Sequence, residues 1–208
     1  LYVPRDPPRN LEEVMLKSIH ITEKDVERLY GDFIEHCFPS FYMTTESFRC
    51  YMAKYSFEKN DSRLQFLFRS FNYKRNGYLS FHELLIGLAT IEPYTAHGES
   101  RVRFIFRYYD SDGSNTLSVD EFRKLTQDLL NATNPGAANN PQLLQQRVLE
   151  GMRSIGTKMI NGTEQITMQD FIMAVGSHRF RGTSALCRSK KPIFTQISRI
   201  IAARTLKK

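Results

Sequence analysis

Asp110, Asp112, Ser114, Thr116, Ser118 and Glu121 occupy positions 1, 3, 5, 7, 9 and 12 of the stretch Asp-Ser-Asp-Gly-Ser-Asn-Thr-Leu-Ser-Val-Asp-Glu. Oxygen donors at that spacing suit a hard divalent cation. Calcium takes six to eight oxygens at about 2.3–2.6 Å, with position 7 donating its backbone carbonyl, position 9 a water, and position 12 both oxygens of a glutamate. Position 6 must turn sharply and is usually glycine. Here it is Asn115, the non-glycine residue that best tolerates a left-handed backbone. Three carboxylates give an expected affinity in or below the broad range of about 10⁻⁷ to 10⁻⁵ M, with magnesium as a competitor. Asp120 is read as a solvated charge.

Such a loop works only if helices hold its two ends, and the surrounding sequence supplies them. Apolar residues recur at i, i+3, i+4, i+7 on both sides of four short polar loops. Val26, Leu29, Tyr30 and Phe33 precede the first loop, and Phe48, Tyr51, Met52 and Tyr55 follow it. Leu64, Leu67, Phe68 and Phe71 lead to Leu84, Leu85 and Leu88; Val102, Ile105, Phe106 and Tyr109 lead to Phe122, Leu125 and Leu129. Leu144, Val148, Met152 and Ile155 lead to Phe171, Ile172 and Val175. The aliphatic centres of the loops are Met43, Leu79, Leu117 and Ile166, at intervals of 36, 38 and 49 residues. Residues 131–142, with two prolines and little to bury, read as the connection that lengthens the last interval. The expected fold is all-α: four helix-loop-helix units paired into two lobes, with short β-bridges such as one from Leu117 to its counterpart in the neighbouring loop.

The loop at 110–121 with its flanking helices resembles an EF-hand. The four-unit spacing over about residues 21–178 resembles the recoverin-like neuronal calcium sensors and the calcineurin B type of regulatory protein. In those families the first loop is commonly inactive and contains a Cys-Pro element; His36-Cys-Phe-Pro-Ser40 stands in the equivalent place with one extra residue. The resemblance implies a calcium sensor or regulatory adaptor that engages a protein target through an apolar groove. No Met-Gly myristoylation signal opens the chain, so a lipid anchor is not supported.

The other loops depart from the ligand pattern. The second, 72–83, keeps Gly77 and Glu83 but carries Asn72 at position 1 and Lys74 at position 3. An ammonium about 4 Å from a divalent cation costs about 8 kcal/mol at an effective dielectric of 20. The fourth has Met159, Asn161, Thr163 and Asp170 at positions 1, 3, 5 and 12, and the first has His36 and Ser47 at its ends. One ion per chain is expected.

Charge divides the chain. Lys and Arg number 29 against 22 acidic residues, a net +7, yet from Arg179 onward nine basic residues meet no acidic one. The body is therefore mildly acidic and the tail strongly basic. After Pro192, Ile193, Phe194, Ile197, Ile200 and Ile201 share one side of a helix while Arg199, Arg204 and Lys208 lie largely on the other. A basic amphipathic helix of this kind matches a groove ligand or a membrane-surface segment. The protein target is expected to present such a helix, and the chain's own tail or an adjoining domain is a source for it. Nucleic acid is not expected, for want of interleaved aromatics. The domains expected are an N-terminal arm, 1–20, an N-terminal lobe with both loops degenerate, 21–95, a C-terminal lobe with one active loop, 96–178, and the tail, 179–208.

No run of about 20 apolar residues and no secretory signal is present, and three cysteines at irregular spacing suit a reducing compartment, so a cytoplasmic location is expected. The five histidines are scattered without zinc-ligand spacing, and Asn131 and Asn161 open glycosylation patterns that mean nothing in that compartment. Arg181-Gly-Thr-Ser184 matches a short basophilic kinase pattern. No phosphate-cradling loop and no nucleophile paired with a base is found, so a non-enzyme is expected. Two alternatives stay open: an EF-hand regulatory segment of a longer enzyme or scaffold, which the absence of an initial methionine would suit, and a constitutive pseudo-sensor.

Overall fold

Side chains at the ninth position of each loop start the helices that follow. Thr44, Ser80, Ser118 and Thr167 each accept a hydrogen bond from the backbone N–H of the twelfth residue, Ser47, Glu83, Glu121 and Asp170. A capped N-terminus satisfies amides that the first helical turn leaves orphaned. The four units therefore share one local device, whether or not their loops keep ion ligands.

The structure, a computed structural model, describes residues 21–55 and 60–205, the last two by their backbone alone. The expected N-terminal arm, 1–20, lies outside the described residues, as do Lys207, Lys208 and the Arg204 side chain. The described chain is built of α-helices with three short strands, and it divides into two units. The first takes in described residues within 1–96 and 188–208; the second is His97–Cys187.

In the first unit, helices α1 (Glu23–Cys37) and α2 (Thr45–Lys54) flank the first loop, and α3 (Asp61–Phe71) and α4 (Phe81–Ile91) the second. Met43 and Leu79, the two loop centres, form an antiparallel bridge. The apolar stripes meet in a core of Leu29, Phe33, Phe48, Tyr51, Leu64, Phe71, Leu84 and Leu88, all buried. Tyr30 departs from its stripe: it is half exposed, its ring edge-on to Phe81 at 5.1 Å. Between α1 and α2, buried Asp32 accepts from Lys54 Nζ at 2.7 Å and from the Tyr55 hydroxyl, which keeps a buried charge paired. Burial pushes the neighbouring Cys37 thiol up to about 11, so it stays protonated at neutral pH.

The tail joins this unit. Helix α9 (Ile193–Thr205) packs against α1 and α4 and buries Ile193, Phe194 and Ile197, with Arg199 exposed. The segment before it is fixed by polar bonds to the end of α4. Arg188 donates to the carbonyls of Glu92 at 3.0 Å, Pro93 at 2.7 Å and Thr95 at 2.9 Å, a cation over the partial negative charge of a helix C-terminus. Phe194 N–H donates to Glu92 Oε1 at 2.8 Å, and Gln196 Nε2 to the Tyr55 carbonyl at 2.8 Å.

In the second unit, α5 (Glu99–Tyr109) and α6 (Val119–Thr133) flank the third loop, and α7 (Pro141–Ile155) and α8 (Met168–Gly176) the fourth. Strand β1 (Thr116–Ser118) pairs with β3 (Thr163–Thr167), placing Leu117 opposite Ile166, and β2 (Lys158–Ile160) adds to the far edge of β3. The expected connection 131–142 is shorter than its composition suggests: α6 runs on to Thr133, a 3₁₀ turn spans Ala137–Asn139 with Ala138 buried, and α7 begins at Pro141. Asn140 caps that helix and Pro141 takes its first position, where its missing N–H costs nothing. Among the described residues no helix is long and apolar enough to cross a membrane.

Candidate metal centre

Asp110 ends α5 and Glu121 is the third residue of α6, so the two helices present their carboxylates to the loop between them. Oxygens of Asp110, Asp112 and Glu121 all lie within 4.8 Å of one another, and no other such trio of metal-ligating side chains occurs among the described residues. Two ligands on opposite sides of a calcium ion stand about 4.8 Å apart at typical bond lengths. The donor set therefore fits the ion in chemistry and in size. Asp110 is buried, Glu121 partly buried and Asp112 exposed.

The loop backbone holds these groups by short-range hydrogen bonds. Asp110 Oδ2 accepts from Asn115 N–H at 3.1 Å, which fixes the turn at position 6 with Asn115 at φ 63°, the left-handed conformation its type predicts. The Ser114 hydroxyl and N–H hold the Asp112 carboxyl below the usual carboxylate range, the N–H at 2.9 Å from Oδ1. Ser114 Oγ also donates to the Thr116 carbonyl at 3.1 Å, so the residues at positions 5 and 7 are already side by side. Asp120 is exposed.

Glu121 is the most engaged of the set. Its Oε2 accepts from Ser118 N–H and Oγ, each at 2.9 Å, the capping box of α6. Its Oε1 accepts from Ser111 N–H at 2.6 Å and Ser111 Oγ at 2.5 Å. Ser111 was not legible as a participant, because position 2 carries no ligand in the loop pattern.

The second loop repeats this geometry without the two leading carboxylates. Positive φ falls at positions 4 and 6 in both loops: Arg75 at 54° and Gly77 at 84°, Gly113 at 75° and Asn115 at 63°. Glu83, 1% exposed, accepts from Ser80 N–H at 3.0 Å and Oγ at 2.9 Å and from Lys74 N–H at 3.3 Å. Lys74 Nζ lies out over the Tyr73 ring, 5.9 Å from its centroid. Position 1 is Asn72, buried and neutral.

The fourth loop takes another form. Asn161 at φ 51° and Gly162 at φ 78° make a two-residue turn joining β2 to β3, the pairing of positive φ values that a type I′ hairpin requires. Met159 is exposed, and Asp170 is bound by Lys158 Nζ at 3.0 Å. The Thr167 hydroxyl and Lys158 together keep Asp170 below the usual carboxylate range. In the first loop His36 Nδ1 lies 2.7 Å from the Asp32 carbonyl and its Nε2 3.1 Å from Lys54 Nζ, an arrangement directed at the helices and not at the loop.

Comparison with known proteins agrees with this geometry. Residues 61–127 match the family described as an EF-hand domain pair. The chain is similar to recoverin of Homo sapiens, 29% identical over 129 residues, which is 60% of this chain and 61% of recoverin. It is similar to calcineurin B homologous protein 3 of Xenopus laevis, 26% identical over 45% of this chain and 50% of that protein. It is also similar to guanylyl cyclase-activating protein 1 of Lithobates pipiens, 24% identical over 80% of this chain and 76% of that protein. The matched stretches thus span less than two thirds of the first two relatives.

Proposed function

We propose that this EF-hand protein, similar to the neuronal calcium sensors and calcineurin B-like proteins, is a non-catalytic calcium sensor that regulates a protein target. Its one working site is the set Asp110, Asp112, Ser114, Thr116, Ser118 and Glu121. The observation that carries the reading is the convergence of three carboxylates within 4.8 Å at the start of a capped helix. A divalent cation held there supplies the charge that lets three carboxylates stay close together.

Glu121 connects the site to the rest of its unit. It is the third residue of α6, and Ser111 holds one of its oxygens. To offer both oxygens to an ion it must release the Ser111 bonds on Oε1 and share or release the Ser118 bonds on Oε2, and its turning carries the first turn of α6 with Phe122, which is fully buried next to it. A bistable helix pair biased in this way is the usual response of sensor EF-hands, and the apolar face it uncovers accepts an amphipathic helix.

The first unit indicates what kind of helix that is. Its own tail, α9, lies against α1 and α4 through Ile193, Phe194 and Ile197, so the resident ligand is an isoleucine- and phenylalanine-faced helix with Arg199 on its outer side. One relative is named for activating a guanylyl cyclase. We extend to this chain only the general part of that description, a protein target under control. The test is apolar-dye fluorescence of the full chain with and without calcium, for wild type and Asp110→Ala. Calcium raises the signal in wild type alone; equal responses in both overturn the sensor reading.

A further inference from the structure

We propose that Ser184 is a phosphorylation site for a basophilic protein kinase, and that the packing of Phe180 controls access to it. The segment Arg179-Phe-Arg-Gly-Thr-Ser184 places arginines five and three residues before the serine. Kinases that read arginine at those two positions pair each guanidinium with carboxylates of their own, and a planar fork held at both oxygens gives register as well as attraction.

The structure separates the two adjacent hydroxyls. Thr183 is 1% exposed, and its Oγ1 lies 3.0 Å from His97 Nε2. Ser184 is exposed, in a 3₁₀ turn over Thr183–Ala185. Register and exposure thus select the same residue: counted from Thr183, the arginines would fall two and four residues back. Arg179 and Arg181 are both exposed. Their side-chain bonds are local, Arg179 Nε to Ser177 Oγ at 3.1 Å and Arg181 Nε to the His178 carbonyl at 3.0 Å, while the Arg179 carbonyl also accepts from Ser154 Oγ at 2.5 Å and must be released for the segment to extend.

Phe180 is the larger of two obstacles, beside the buried Thr183. It lies between the arginines and is 9% exposed, its ring 5.6 Å from Phe122 and 6.0 Å from Phe171. A kinase needs its substrate extended, so Phe180 must leave those two rings before the arginines and Ser184 can be read together. The fraction of molecules with Phe180 out sets the rate, as for any ligand that binds a minor conformer.

In the transfer the Ser184 oxygen bonds to the γ-phosphorus of ATP as the bond to the β–γ bridging oxygen breaks. ADP leaves with that electron pair, and the hydroxyl proton passes to the kinase's catalytic carboxylate and on to solvent. The product stands in a surface depression of about 490 Å³ lined by Ser184, His97, His178 and Arg181, where a dianion finds cationic and hydrogen-bonding partners.

The test incubates the full chain with a kinase of that arginine preference and radiolabelled ATP, and locates the phosphate by mass spectrometry. Expected is incorporation at Ser184, lost in Ser184→Ala and kept in Thr183→Val. It is reduced about tenfold or more in Arg181→Ala by loss of a charged hydrogen-bonded pair. Phe180→Ala is labelled about tenfold faster than wild type and Phe180→Leu falls between, with circular dichroism confirming that both fold. Label that survives Ser184→Ala overturns the proposal. So does failure of wild type and both Phe180 variants to accept phosphate while a peptide of the same motif is labelled, and so does a Phe180→Leu rate equal to wild type.

Discussion

Ser111 donates both its N–H and its hydroxyl to Glu121 Oε1, at 2.6 and 2.5 Å, and so holds the carboxylate on which ion binding depends. The bond is a competitor of the cation. Removing the hydroxyl in Ser111→Ala takes away about 1 kcal/mol that holds Glu121 Oε1 on Ser111. Calcium affinity should tighten by about fivefold, read by isothermal titration calorimetry. Unchanged or weaker binding would show that Ser111 does not restrain Glu121.

The tail contact should respond to pH through Glu92. Burial raises its carboxyl above the usual carboxylate range, against the Phe194 and Ile193 amides, which favour the charged form. The folded chain therefore holds this proton more tightly than the unfolded one. Its contribution is fully present below the ordinary glutamate pKa and is lost as pH rises through the elevated value. In Glu92→Gln the amide oxygen still accepts from Phe194 while the titration disappears. Denaturant unfolding across the acid to neutral range should fall less steeply with pH in the variant than in wild type.

Phe71 leaves no room at Gly87. A Cβ built there would lie 2.3 Å from the Phe71 ring, inside α4 where the first unit's core is closed. Gly87→Ala should destabilise by about 1–3 kcal/mol through overpacking, despite the better helix propensity of alanine. Thermal unfolding measures it, and a raised Tm would mean that the ring moves aside freely.

Ile197, on the inner face of α9, is fully buried. A charge there cannot stay without a partner, so Ile197→Asp should release the helix from the first unit. The expected signs are increased apolar-dye fluorescence and cleavage by trypsin within the tail, at Lys190 and beyond. Wild-type protection in the variant would contradict the observed docking.

Local signals made much of this fold legible. Met43, Leu79, Leu117 and Ile166 could be picked out as lone aliphatics in polar loops, and each is buried in a bridge or strand pair because its loop has one inward-facing position. The face of the tail helix was legible for the same reason, a period of 3.6 residues in apolar side chains. The partners of charged residues were not. Arg188 reads in sequence as one more cation of a basic tail, yet it closes on three carbonyls more than 90 residues earlier. Arg101 stands two residues after Glu99, a spacing that does not bring the two side chains face to face on a helix, and it is fully buried, donating to the Leu186 carbonyl. The fourth loop had its own signal in Asn161-Gly162, a two-residue hairpin turn, which the count of ligand positions obscured.

The central claim rests on the oxygens between Asp110 and Glu121, and calcium titration of the full chain by isothermal calorimetry measures it most directly. The account predicts one ion per wild-type chain and loss of that binding in Glu121→Gln, with Glu83→Gln keeping the wild-type isotherm. A wild-type chain that releases no heat of calcium binding up to millimolar concentration, or a Glu121→Gln variant that binds as wild type does, would contradict it.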